Sequence, residues 1–306
     1  MKLKMIKEIQ RRARHFADFG SLLANHERSG QAHMDVHPVG PAAHLSLERD
    51  DVLGVNVSAI TLDDAIATIE RWIGEGRREY VCITGVHGIM ECRRDPSLRK
   101  IHNQAGMVTP DGVPLVYFLR QIGRKRTQRV YGPDLMRQMT AVSALHGYRQ
   151  FYYGGDVGVG EKLKQALVKF APGLQVAGTF CPPFREMTPE EDCAAVDMIN
   201  AARPHIVWIG LSTPKQERWM AAHLGRIEAP VMIGVGAAFD FLAGTKRQAP
   251  RWMQRHALEW LFRVCSEPRR LWRRYAYIVP GFMFLAAGEF VRRTLGFGVK
   301  GRRIAR

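Results

Sequence analysis

The sequence predicts an α/β protein: a parallel sheet with helices on both faces, followed by a basic C-terminal appendage. Three observations predict it. Short apolar runs bounded by Gly or Pro recur along the chain, too short for buried helices, and read as strands covered on both faces. Between them lie capped stretches with helical apolar spacing, and this β-α alternation continues to Gly236. Charge is then segregated: positions 245–306 carry 15 Lys or Arg against 3 Asp or Glu, in a chain of 306 residues with formal net charge +16. The organisation that follows is an N-terminal extension and linker over 1–50, a sheet domain over 51–244 and the appendage over 245–306.

Residues 1–25 alternate basic and apolar groups, from Leu3 and Ile6 to Phe19 and Leu22. Two readings stand: a basic amphipathic helix on a membrane or another subunit, or a frayed extension. Residues 26–50 mix Gly, Pro, His and Ser without periodicity and read as a linker. The run Val52-Leu-Gly-Val-Asn-Val reads as the first strand. Thr61 caps the next helix, with Asp64 three residues on and Ala65, Ile66, Ile69 and Ile73 on one side. A strand over 80–84 is followed by a helix over 88–94. A short strand over 105–109 ends in Pro110-Asp111-Gly112. Helices are expected over 113–123 and after Arg129-Val-Tyr-Gly-Pro-Asp134. The strand over 150–153 runs into the glycine-rich turn from Gly154 to Gly160 and then a helix. A strand over 174–179 precedes a capping box, Thr188 with Glu191, that starts the helix through Ile199. The last strands are 206–211 and 231–235. In the tail, Pro268 starts a helix with Ser266 as its cap, which puts Arg270, Arg273 and Arg274 on one face.

Ordinary apolar content, 46%, excludes a disordered chain. The five cysteines form no CxxC pair and no zinc spacing, which fits reduced thiols in a cytosolic protein. The start has no long apolar region and reads as no secretory signal. No stretch reaches the ~20 apolar residues of a membrane span. The nearest, 275–290, contains Pro280 and Glu289.

In an open parallel sheet, ligands sit outside the carboxyl ends of the strands. Asp111, on a Pro/Gly turn at such an end, is held in a fixed direction and suits a general base; the competing reading is a turn Asp bonded to its own backbone. Arg129 presents a planar donor fork suited to phosphate, or is an ordinary surface arginine. The glycine turn around Gly155 would let backbone N–H groups approach a phosphate, although it is no clean GxGxxG and lacks a P-loop lysine. Gln216, Glu217 and Asp240 follow the last two strands. No DxD pair follows any strand, so no obvious site holds a divalent cation, and backbone amides and arginines must carry any diphosphate. Trp252, Trp260 and Trp272 stand among the tail arginines, as suits a lipid interface or packing of the appendage. A nucleic-acid-binding protein would need a recognition helix or stacking platform, and an oxidoreductase a proper dinucleotide fingerprint; the sequence contains neither.

The blocks GMVTPDGVPL, RVYGPDLM, FYYGG, VWIGLSTPKQERWM, GVGAAFDFLAG and APRWMQRHALEWLFRVCSEPRRLWRRY resemble the WecG/TagA/CpsF glycosyltransferases (glycosyltransferase family 26). They occur in the family order and cover roughly 52–285. The resemblance implies a Rossmann-like domain with a C-terminal helical appendage, a fold of the GT-E type, and inverting, metal-independent transfer of a hexose or N-acetylhexosamine from a UDP-sugar, with no cofactor. The acceptor it implies is an undecaprenyl-diphosphate-linked saccharide of cell-surface or exopolysaccharide synthesis. The place it implies is the cytoplasm, peripherally on the inner face of the plasma membrane, with self-association open. Residue by residue, it implies that Asp111 is the base and Thr84 a neighbouring substrate contact. Arg129, Gln216 and Asp240 would form the polar pocket, and Arg263, Arg270 and Arg273 would hold the lipid diphosphate or the leaving UDP. Many family members carry Asn soon after the threonine; here the chain reads Thr84-Gly85-Val86-His87, and His87 is either a substitute polar contact or a buried structural histidine.

Overall fold

The structure is a computed structural model that describes residues 47–295, the side chain of Arg270 excepted. Most of the N-terminal extension and the last eleven positions therefore lie outside the described residues.

The first strand is a hairpin. β1 (Arg49–Val52) and β2 (Val55–Ser58) pair antiparallel through a two-residue turn, Leu53-Gly54. Both turn residues have positive φ, 55° and 95°, the backbone of a primed hairpin turn. The run read as one strand is thus two, because Leu53 adopts a conformation that leucine rarely takes and no turn signal marks it.

The rest of the sheet domain follows the β-α alternation. α1 (Leu62–Glu75) starts in the expected capping box, with Thr61 and Asp64 each bonding the other's backbone N–H. β3 (Glu79–Thr84) leads to α2 (Val86–Arg94) and α3 (Pro96–Gln104), then β4 (Met107–Pro110) and α4 (Val113–Gln121). α5 (Gly132–His146), β5 (Arg149–Gly154), α6 (Val159–Phe170) and β6 (Gln175–Phe180) follow. α7 (Pro189–Ala201) carries the second capping box, Thr188 with Glu191. β7 (Ile206–Gly210), α8 (Lys215–His223), β8 (Val231–Gly234) and α9 (Ala238–Leu242) complete the domain.

β3 to β8 form one six-stranded sheet, ordered β4-β3-β8-β7-β5-β6, with every pairing parallel. Alternate strand residues feed two separate cores. Tyr80, Cys82, Phe151, Tyr153, Val207, Ile209 and Met232 face one; Val81, Ile83, Tyr152, Ile206, Trp208, Val231 and Ile233 face the other. Helices α2, α3, α4, α7 and α8 cover the first face, and α1, α5, α6 and α9 the second. This is why the strands read as continuous apolar runs. The β3–β4 crossover leaves to one side and the β5–β6 crossover to the other, with β7 and β8 filling the gap. A crevice opens at the carboxyl ends where crossovers diverge.

The appendage consists of α10 (Arg251–Arg255), α11 (Glu259–Ser266) and α12 (Pro268–Thr294). α12 runs unbroken through Pro280, and Glu267, not Ser266, occupies its cap position. Ser266 is instead the last residue of α11, and its hydroxyl donates back to the Phe262 carbonyl of that helix. α12 packs along the first face: Ile278, Phe282 and Ala286 join that core, and Leu285 lies against it. Phe284, by contrast, is 81% exposed. No helix among the described residues is long and apolar enough to cross a membrane.

Candidate functional site

A cavity of about 820 Å³ lies between the strand ends and the appendage. The sheet side contributes Thr84, Asp111, Val235 and Gly236; the 212–217 turn contributes Ser212, Thr213, Gln216 and Glu217; α11 and α12 contribute Glu259, Arg263, Arg274 and Ile278. Two non-glycine residues of the lining, Ser212 (φ 66°) and Ala257 (φ 58°), stand in the left-handed region, which costs about 1–3 kcal/mol each.

Asp111 follows directly from β4. Its N–H donates to the Thr84 carbonyl at 3.0 Å, extending the β3–β4 ladder by one residue and fixing the backbone. The loop before α5 runs alongside, where Val130 N–H donates to the Pro110 carbonyl at 3.1 Å. Arg129 therefore reaches Asp111 twice: Nε donates to its carbonyl at 3.1 Å and Nη2 to Oδ1 at 3.4 Å. The same Nη2 donates to Glu259 Oε2 at 2.6 Å, and the guanidinium lies over the Tyr131 ring at 4.0 Å. The Tyr131 hydroxyl donates to Glu259 Oε1 at 3.1 Å, and Arg263 Nη2 donates to the same oxygen at 3.3 Å. Burial pushes the Asp111 carboxyl up to about 7; Arg129 pulls against this, Glu259 adds to it and Arg263 opposes it. A carboxylate poised there gives and takes a proton near neutral pH.

At the floor, Gln216 and Glu217 begin α8 and are both buried. Gln216 lies on Gly234 at the end of β8, where any Cβ would come within 3.1 Å of its carboxamide carbon. Glu217 Oε1 accepts from Thr213 Oγ1 at 2.8 Å and from Gln216 Nε2 at 3.0 Å. Gln216 Oε1 and Glu217 Oε2 have no protein donor among the described residues. Two buried acceptors without donors call for a ligand or water that brings O–H or N–H groups. Thr84 is buried beside them, its hydroxyl donating to the Cys82 carbonyl at 3.3 Å.

The structure gathers Asp111, Thr84, Arg129, Gln216, Glu217 and Arg263 around one cavity. Gly155 and Asp240 are not in its lining. Gly155 spends its N–H on the Gly210 carbonyl at 3.0 Å and its carbonyl on the Cys181 thiol at 3.2 Å, so neither faces the cavity as the glycine turn suggested. Asp240 instead holds the entry to the appendage, accepting from Thr245 Oγ1 at 3.0 Å and pairing with Lys246 Nζ at 2.9 Å; Lys246 is the one that lines the cavity. Arg273 is exposed, its guanidinium 5.5 Å from the Trp272 ring, and also lies outside the lining. The Arg270 side chain is outside the described residues. His87 lines the cavity and approaches Glu91 at 3.5 Å; burial, then Arg274, Arg94 and Arg263, lower its pKa to about 3. It is a neutral imidazole at pH 7. Glu259 and Tyr131 escaped the sequence reading. The only signal was Glu259 four residues before Arg263, a helical pair spacing that says nothing of Arg129, 130 positions away.

A Rossmann-like sheet whose strand ends face a basic helical appendage, with one poised carboxylate among arginines, has the make-up of a glycosyltransferase. The chain matches the model of the "Glycosyl transferase WecG/TagA/CpsF family" over residues 50–295 and belongs to that family. Among curated proteins it is similar to an N-acetylglucosaminyldiphosphoundecaprenol N-acetyl-beta-D-mannosaminyltransferase of Staphylococcus aureus (strain MRSA252), 25% identical over 239 residues, 78% of this chain and 91% of the relative. It is also similar to the protein of the same description from Bacillus spizizenii (strain W23), 27% identical over 184 residues, 60% of this chain and 69% of the relative.

Proposed function

We propose that this glycosyltransferase moves an N-acetylhexosamine, N-acetylmannosamine before others, from a UDP-sugar to N-acetylglucosamine carried on undecaprenyl diphosphate, with inversion and without a metal ion. The observation that carries the reading is Asp111: a backbone-fixed carboxylate, titrating near 7, at the strand-end side of an arginine-lined cavity. Ionised Asp111 takes the proton of the acceptor hydroxyl. The freed oxygen attacks the anomeric carbon from the face opposite the phosphate, the bond from that carbon to the UDP oxygen breaks, and configuration inverts. The leaving diphosphate gains charge, and Arg263, Arg247 and Arg274 in the lining supply donors for it. The unpaired acceptors of Gln216 and Glu217 suit sugar hydroxyls and repel phosphate, which supports the sugar lying at the floor and the diphosphates toward the appendage. Among the described residues no group of three or more His, Cys, Asp or Glu is placed to hold a metal ion. In this reading Arg247, Arg263 and Arg274 meet the charge of the diphosphate directly.

The test is UDP release from UDP-N-acetylmannosamine and other UDP-sugars, with an N-acetylglucosaminyl-diphosphoryl polyprenol as acceptor, in EDTA. The expected result is acceptor-dependent UDP release that Asp111→Asn lowers by about 10²–10⁴. Wild-type rates in Asp111→Asn place the base elsewhere. Release by none of the UDP-sugars, or release abolished by EDTA, refutes the donor class or the metal independence respectively.

A further inference from the structure

Glu259 belongs to the appendage, yet most of its bonds serve the sheet domain. Its carboxylate accepts from Arg129 and Tyr131, both in the loop before α5, and from Arg263 one helical turn along α11. Gln248 in turn donates to the Tyr131 hydroxyl at 3.1 Å, so the hydroxyl is held from both sides. The side chain is only 16% exposed, which sets it apart from the surface pairs that contribute little. Arg129 is correspondingly committed: Nε and Nη2 both point at protein oxygens, and its face is stacked on Tyr131. It is an organiser of the site more than an open phosphate fork. Asp111 Oδ1 takes the Arg129 donor, which leaves Oδ2 for an acceptor hydroxyl.

We propose that Glu259 is a positioning residue for the transfer reaction, reaching from the appendage to hold Arg129 and Arg263 in place and thereby aim the Asp111 carboxylate into the cavity. This rests on the reading of Asp111 as the base. Two carboxylates and two guanidiniums balance here, and removing either carboxylate leaves the other facing both cations. The charged groups around Asp111 are Arg129 from the loop before α5, Glu259 and Arg263 from α11 and, elsewhere in the lining, Glu217, Lys246, Arg247, Glu267 and Arg274; His87 stays neutral near pH 7. Glu259 raises the Asp111 titration and the two arginines lower it. Glu259→Gln therefore moves that titration to lower pH. Glu259→Asp keeps the charge but withdraws the carboxylate by one methylene.

The experiment has two readouts on the full chain. Carboxyl-carbon NMR follows the Asp111 titration in the substrate-free protein, and pH profiles of kcat and acceptor KM follow turnover with the substrates named above. For Glu259→Gln the Asp111 midpoint and the acid limb of kcat/KM both fall by about one pH unit. At the plateau kcat drops about tenfold while acceptor KM stays within about twofold. Glu259→Asp leaves the midpoint in place and lowers kcat. An unmoved midpoint in Glu259→Gln, or wild-type kcat in either variant, overturns the proposal. Where Glu259→Gln does not fold, Glu259→Asp decides by kcat alone. Activity surviving in Asp111→Asn would sink the base reading by itself, and the NMR midpoint would still judge whether Glu259 governs that carboxylate.

Discussion

Asp111 shows at residue scale how a site is held at a cost to the fold. Its folded-state titration is raised to about 7 chiefly by burial. The unfolded chain titrates near the ordinary value of about 4. A raised group contributes stability that is fully present below the unfolded value and is lost as pH rises through the folded one. Asp111→Asn has no charge to bury, so its melting temperature should gain on wild type as pH rises from about 4 to about 7 and the gain should level off above that; a difference that stays flat from pH 4 to pH 7 would contradict the burial. Activity runs the other way, since the base must be ionised: kcat/KM rises through about pH 7 and levels above it. His87, held neutral, should leave no mark on that profile, so His87→Asn keeps the acid limb unchanged. Asp111, Arg129, Gln216, Glu217 and Arg263 belong to blocks that resemble the family and line the cavity, as does Thr84, which was named from outside those blocks. Gly155 and Asp240 were named from equally good blocks and yet lie outside the cavity. A motif identifies a residue; it does not say that Gly155 gives its N–H to Gly210, or that Asp240 turns to Lys246.

At the scale of elements, α12 separates neighbours that the sequence places together. Along the sequence, Phe282 to Leu285 is one unbroken apolar segment. On a helix of 3.6 residues per turn its members point in different directions. Phe282 is 2% exposed in the first core, and Phe284 is 81% exposed. Phe282→Ala is expected to destabilise by about 3–5 kcal/mol, read as a lower midpoint in denaturant. Phe284→Ala should change stability by no more than about 0.5 kcal/mol and yet weaken binding to anionic vesicles. Equal effects on stability would mean that the helix does not dock by this face. The two capping boxes and both glycine-bounded strands near the C-terminal half were predictable because their signals are local. The β1–β2 hairpin was not, since Leu53 is not a residue that usually takes positive φ and Gly54 stood as an isolated glycine in an apolar run.

For the molecule as a whole, the cavity is closed by the appendage folding back over the strand ends, and Glu259 is one of several ties between the two parts, beside the Arg251–Asp134 and Arg293–Asp51 pairs and the apolar face of α12. The outward side of the appendage keeps Trp252, Trp272, Tyr277 and Phe284 at least half exposed beside arginines. Binding to vesicles rich in anionic lipid should fall steeply with salt as the Debye length shrinks from ~10 Å at 0.1 M to ~3 Å at 1 M, leaving a remainder due to the aromatic groups. Salt-independent binding would remove the electrostatic part of that account. The sequence by itself determined the parallel α/β class, the basic appendage, the family and the carboxylate at the strand end, because periodicity, composition and long motifs are properties of neighbours along the chain. Only the tertiary structure decided which face of α12 is buried, which motif residues share the cavity, and that Glu259 meets Arg129 from the opposite end of the chain. Such contacts depend on where separate elements come to rest, and that is set by the packing of two cores at once.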